Sequence, residues 1–110
     1  MASAKIAFLM LSDDPARVMP GMVMARRLKE NRNAEVRVLF FGPSVRLASS
    51  GALDDAVNGL VESGIKPASC TALVDQFGLQ KEYAERPIEL LAAGAEVESW
   101  ALNGYTVLSF

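Results

Sequence analysis

The chain contains no histidine. Ser-His-Asp and Cys-His mechanisms are therefore excluded, together with nearly all zinc sites, since each needs a neutral imidazole as base or ligand. There is one cysteine, Cys70, so no internal disulfide can form, which fits a reducing compartment. No apolar run approaches the length needed to cross a bilayer. The stretch from Ile6 to Leu11 is shorter than a signal-peptide core and leads straight into Asp13 and Asp14. A cytoplasmic protein without membrane contact is the expectation. Neither Gly-x-Gly-x-x-Gly nor Gly-x-x-x-x-Gly-Lys-Ser/Thr occurs, so the usual marks of dinucleotide or nucleoside triphosphate binding are missing. No cofactor and no metal is expected.

What remains is a chain of 110 residues, 51% of them apolar, which is enough for a single domain over residues 1–110 and too short for two. The net charge of −2 is spread along the chain. One basic cluster, Arg26, Arg27, Lys29 and Arg32, reads as a solvated helix end, and its charge is too small for a nucleic-acid footprint. The pairs Asp13-Asp14 and Asp54-Asp55 are adjacent in sequence, so their side chains diverge and they read as caps rather than paired catalytic carboxylates. Met19, Met22 and Met24 recur at helical spacing and read as core filler rather than a soft-metal site.

The apolar pattern alternates between strand and helix. Ile6–Leu11 is a strand-length apolar run, and Ser12-Asp13-Asp14-Pro15 offers a cap and a first-turn proline for the helix after it. That helix carries Val18, Met22, Ala25 and Leu28 on one stripe, with a kink or late start expected at Pro20-Gly21. Glu35–Phe41 is a second strand ending in the loop Gly42-Pro43-Ser44. Leu53, Ala56, Val57, Leu60 and Val61 form a helical stripe that stops at Gly64. Ile65–Ser69 is a third strand closed by Cys70, followed by a short helix over Thr71–Gly78. The stretch 79–91 is indistinct. Ile88–Leu91 fits a short strand or helix, an edge strand being favoured. Ala95–Leu102 suits a last helix and Tyr105–Phe110 a last strand. Such alternation implies right-handed crossovers and a parallel sheet with helices on both faces.

Cys70 stands out by position. Ligands of open parallel sheets bind at the strand carboxyl ends, and Cys70 falls at such an end and at the amino end of the next helix. Both features favour an exposed thiolate. A lone intracellular cysteine is also commonly a small buried hydrophobe. The residues leave these two roles open.

Three stretches resemble the DsrE/DsrF-like, YchN-type sulfur-relay family. Gly64-Ile65-Lys66-Pro67-Ala68-Ser69-Cys70-Thr71-Ala72 with Phe77-Gly78-Leu79 looks like that family's short strand ending in a cysteine. Val36–Pro43 with Val45 is similar to its second strand and loop. Trp100-Ala101-Leu102 with Val107-Leu108-Ser109-Phe110 is similar to its last helix and closing strand. The resemblance implies a three-layer α/β/α fold with a five-stranded parallel sheet of order 4-3-2-1-5, and assembly as a homotrimer or homohexamer. It also implies that Cys70 carries sulfane sulfur as a persulfide from a sulfur-donor protein to a sulfur-acceptor protein. Ser12, Phe41, Gly42, Pro43 and Ser44 would then shape the approach, Ser12 and Ser44 serving either as donors to the terminal sulfur or as cap and turn residues. Several relatives have a second cysteine nearby and this chain has none, so transfer would be between chains. The rival reading is a non-catalytic oligomeric binding or scaffold module of the same fold with Cys70 packed in its core. A small-anion or nucleotide site at the same rim is a third.

Overall fold

The computed structural model describes residues 3–110. Five strands, β1 (Lys5–Met10), β2 (Glu35–Phe40), β3 (Pro67–Cys70), β4 (Glu89–Leu91) and β5 (Thr106–Ser109), form one sheet in the order β4-β3-β2-β1-β5. Every pairing is parallel. This is the expected α/β architecture, strand order included. The helices are α1 (Pro15–Arg32), α2 (Ser44–Ser49), α3 (Asp54–Glu62), α4 (Thr71–Phe77), α5 (Gln80–Ala84) and α6 (Ala93–Leu102). None is long and apolar enough to cross a membrane among the described residues.

Local chemistry explains where the elements begin and end. Asp14 caps α1 by accepting from the Ala16 N–H at 2.9 Å, with Pro15 at the first helical position. Of the late start or kink expected at Pro20-Gly21, the late start is absent: α1 begins at Pro15 and runs unbroken through Pro20. That proline lies in the second turn on an exposed position, where its missing N–H removes a single ladder bond. The helix ends at Asn33, which adopts a left-handed φ of 54°, and the Ala34 N–H closes back on the Leu28 carbonyl at 3.1 Å. The basic cluster behaves as a solvated helix end: Arg26 pairs with Glu30 at 3.0 Å and Glu62 at 3.6 Å. In the indistinct stretch, α5 is a helix and Glu89–Leu91 an edge strand. The loop expected after β2 winds into α2.

The sheet has two unequal cores. Helices α1 to α5 cover one face, burying Phe8, Met10, Val38 and Phe40 of the strands against Val18, Met22, Val45, Leu53, Val57, Leu60, Val74 and Tyr83. The opposite face has a much smaller cluster, in which Ala7, Leu39, Ala68 and Cys70 meet Ala93 and Trp100 of α6. At the carboxyl end of the sheet, Phe110 stacks on Phe8 at 5.8 Å between ring centres and lies against α1 at Gly21.

A Cβ at Gly21 would stand 2.7 Å from two atoms of the Phe110 ring, whereas one at Gly59 would meet the far end of the long, exposed Arg26 side chain at 2.6 Å. Alanine in a helix ordinarily gains about 1 kcal/mol over glycine. Gly21→Ala is nevertheless expected to destabilise by about 1–3 kcal/mol, because the ring is wedged against Phe8. Gly59→Ala is expected to be neutral or stabilising. Parallel urea unfolding of the two variants checks this, and equal effects would contradict the packing of Phe110.

Candidate functional site

β3 is buried along its whole length, and its side chains alternate between the two cores. Ser69 faces the helix-rich side. Its hydroxyl donates to the Tyr83 hydroxyl at 2.9 Å, and Tyr83 donates to the Val45 carbonyl at 2.7 Å. This buried chain ties β3 to α5 and α2, and it fixes the strand whose next residue is Cys70. Burial pushes the Tyr83 phenol above the ordinary tyrosine range, outweighing the bond from Ser69 and the field of Arg86, which act the other way.

Ala68 and Cys70 face the sparse side. Cys70 is the last residue of β3 and the N-cap of α4, in extended backbone with φ −68° and ψ 115°, and its side chain makes no capping bond. The thiol is free but not exposed: Cys70 is 5% accessible and belongs to the buried cluster of Ala7, Leu39, Ala68, Ala93 and Trp100, against which Leu73 and Leu91 pack. The expectation of an exposed thiolate is corrected here. The reason is α6, which contributes Ala93 and Trp100 to the cluster that encloses the thiol.

Next to this cluster lies an apolar hollow of about 250 Å³, lined by Leu9, Leu39, Phe41, Ala93, Gly94 and Val97. Leu39 and Ala93 belong both to its wall and to the packing around Cys70. Phe41, 40% exposed, stands at its edge. A larger hollow of about 340 Å³ opens between Val61, Ile65, Lys66, Arg86 and Glu89. It lies toward the amino ends of β3 and β4, away from Cys70, and its Arg86 is held by Asp54 at 2.8 Å.

The remaining rim residues have structural partners. Ser12 Oγ accepts from the Asp14 N–H at 2.9 Å, closing the turn into α1. Ser44 is fully buried; its hydroxyl donates to the Met10 carbonyl and accepts from the Phe41 N–H at 3.1 Å, bracing the ends of β1 and β2. Gly42 takes a left-handed φ of 71° and Pro43 caps α2. Ser12, Gly42, Pro43 and Ser44 are not among the residues lining the hollow, so of the five candidates only Phe41 joins it. Sequence reasoning missed Leu9, Ala93, Gly94, Val97 and Tyr83. Alternation along β1 was a usable signal for Leu9. Nothing local marks the others, whose roles arise where distant elements meet.

The architecture matches solved structures. A conserved protein of unknown function from Bacteroides thetaiotaomicron superposes with a TM-score of 0.83 at 21% identity, over 96% of this chain and 94% of that one. A protein of unknown function from Methanobacterium thermoautotrophicum gives 0.79 at 14% identity, over 98% and 100%. The YchN protein of E. coli gives 0.77 at 16% identity, over 97% and 99%. The chain has the YchN fold. At these identities the likeness is one of fold alone. No family model matches the sequence, and no curated protein matches it.

Two outcomes follow from the geometry. Cys70→Ser puts a hydroxyl among apolar neighbours at a cost of about 1–3 kcal/mol, whereas Cys70→Ala leaves a methyl-sized void worth about 1 kcal/mol. Serine is expected to be the more damaging in urea unfolding, and the reverse ranking would mean that water reaches the position. Tyr83 in the folded state holds its proton more tightly than in the unfolded chain. Its contribution is therefore full below pH about 10 and is lost as pH rises beyond that. Tyr83→Phe should start about 1–3 kcal/mol lower, with Ser69 and Val45 each losing a partner, and should show a shallower alkaline decline. An unchanged decline would assign the alkaline loss to other groups.

Proposed function

We propose that this domain is a persulfide carrier in which Cys70 takes a sulfane sulfur from a donor protein and passes it to a thiol of an acceptor protein. The observation that supports this reading is the place of Cys70 at a strand carboxyl end, sharing Leu39 and Ala93 with an apolar hollow that opens to solvent. Open parallel sheets take their ligands at such ends.

The chemistry needs nothing that the chain lacks. The Cys70 thiolate attacks the outer sulfur of a donor persulfide, so that a new S–S bond forms on Cys70 while the donor's S–S bond breaks and the donor leaves as a thiolate. Electrons balance without an external oxidant. The acceptor's thiolate repeats the step, regenerating Cys70. No histidine takes part, and the transfer runs between chains because there is no second cysteine. With 5% of Cys70 accessible, the side chains over it have to move before the sulfur is reached, which makes transfer an event within a protein complex. A cytoplasmic homotrimer or homohexamer is the assembly this reading carries with it.

The same burial favours a second reading, in which the domain is a non-catalytic oligomeric module and Cys70 only fills the layer beneath α6. Intact mass separates the two. Reduced protein incubated with a persulfide donor is expected to gain one sulfur atom, and Cys70→Ala to gain none. Sulfur on both proteins, or on neither, would leave the packed module.

A further inference from the structure

β5 is a short edge strand with neither charge nor proline to guard it. Sheet edges are ordinarily guarded by charge, proline, a bulge or brevity. β4, at the other edge, has three residues, includes Glu89 and follows Pro87. All four residues of β5 are exposed, Val107 to 46% and Leu108 to 38%, and the sequence carries no charged side chain after Glu98.

The free backbone groups can be assigned. The Phe110 N–H donates to the Leu9 carbonyl at 3.0 Å, and the Phe110 carbonyl accepts from the Leu11 N–H at 2.6 Å, so both groups face β1. In a parallel ladder, alternate residues face the same neighbour. Thr106 and Leu108 thus face β1 as well, and the N–H and C=O groups of Val107 and Ser109 point away from the sheet.

We propose that β5 pairs antiparallel with β5 of a second copy of this chain, across a two-fold axis at Leu108, joining the two sheets into one. In this register Val107 of each copy sits opposite Ser109 of the other as a hydrogen-bonded pair, and every outward backbone group finds a partner. Leu108 meets its counterpart at a non-hydrogen-bonded position. Because the strand is uncharged, no like charges oppose each other, which is the condition for an edge to tolerate itself. Pairing of β5 with β4 would bring Pro87 and Glu89 to the junction and would propagate as a filament, whereas the two-fold arrangement closes. Met24 lies three residues beyond Gly21, the α1 position that touches Phe110. It is 48% exposed and adds an apolar side chain to the α1 surface.

The test is independent of any sulfur chemistry. Light-scattering mass of the native protein is expected to show an even number of chains, and Val107→Pro, which deletes an outward N–H and leaves the β1 ladder intact, is expected to halve it. Cysteine trapping in the Cys70→Ala background reads the register without requiring the proline variant to fold. A non-hydrogen-bonded antiparallel pair sets Cα atoms about 4.5 Å apart, inside the span of about 4.4–6.8 Å that a disulfide bridges. Leu108→Cys should therefore give a covalent dimer on mild oxidation, and Thr106→Cys should not. A native mass of one chain or of any odd number, the trimer included, an assembly indifferent to Val107→Pro, or equal cross-linking at the two positions would overturn the proposal.

Discussion

Right-handed crossover connections divide this sheet unequally. The chain steps in one direction from β1 through β2 and β3 to β4, and a right-handed crossover at each step lands on the same face. The last connection runs back across the sheet from β4 to β5 and must land on the other. Five helices therefore share one face, and α6 has the opposite one to itself among the described residues. A ten-residue helix is about 15 Å long. Four inter-strand intervals separate β4 from β5, about 19 Å at ordinary spacing. The helix cannot roof the whole face. The small residues Ala7, Ala68 and Ala93 let it lie close to the sheet where it does cross, and beyond it Leu9, Phe41 and Val97 surround an open hollow.

Cys70 inherits its environment from this division. Alternation along β3 assigns Ser69 to the crowded face, where Tyr83 satisfies its hydroxyl, and Cys70 to the sparse one. A register slip of one residue would exchange them, leaving a serine hydroxyl beneath α6 and a thiol facing a phenol. The Ser69–Tyr83–Val45 chain opposes that slip, because a buried hydroxyl without its partner is costly. The polar chain on one face thus holds the thiol in place on the other.

The elements that could be read from sequence are those with strong local causes. The apolar runs Ile6–Leu11 and Val38–Phe41 mark β1 and β2, whose buried residues pack on both sides of the sheet, and Gly64 and Gly78 end helices in the left-handed region that suits glycine, with φ of 87° and 66°. The strand order came through the resemblance, since crossover chirality alone leaves the position of the last strand open. α2 and α5, with six and five residues, are too short for a helical period to register. The site was less legible than the fold. Short polar residues at strand ends look alike in sequence whether they point outward or brace the backbone, and Ser12 and Ser44 brace it. The strand-end position of Cys70 was visible, but its burial was not, because the residues that cover it, Ala93 and Trp100, lie more than twenty positions away in sequence.

The fold is shared with proteins whose functions are unknown, so any function rests on side chains rather than architecture. The buried cluster that holds Cys70 is built from alanines, leucines, Trp100 and Tyr105, and the chain has no second thiol to join it. Such a setting shelters the sulfur. If the domain carries sulfur, the selectivity of each transfer belongs to the donor and acceptor, which must displace the cover over Cys70 and bring their own thiolate. The sparse face suits that division of labour, because α6, with a single ten-residue span holding the cover down, is tied to the sheet by the smaller of the two cores. On that reading, local opening there would reach the sulfur without disturbing the helix-rich core, which holds most of the buried side chains.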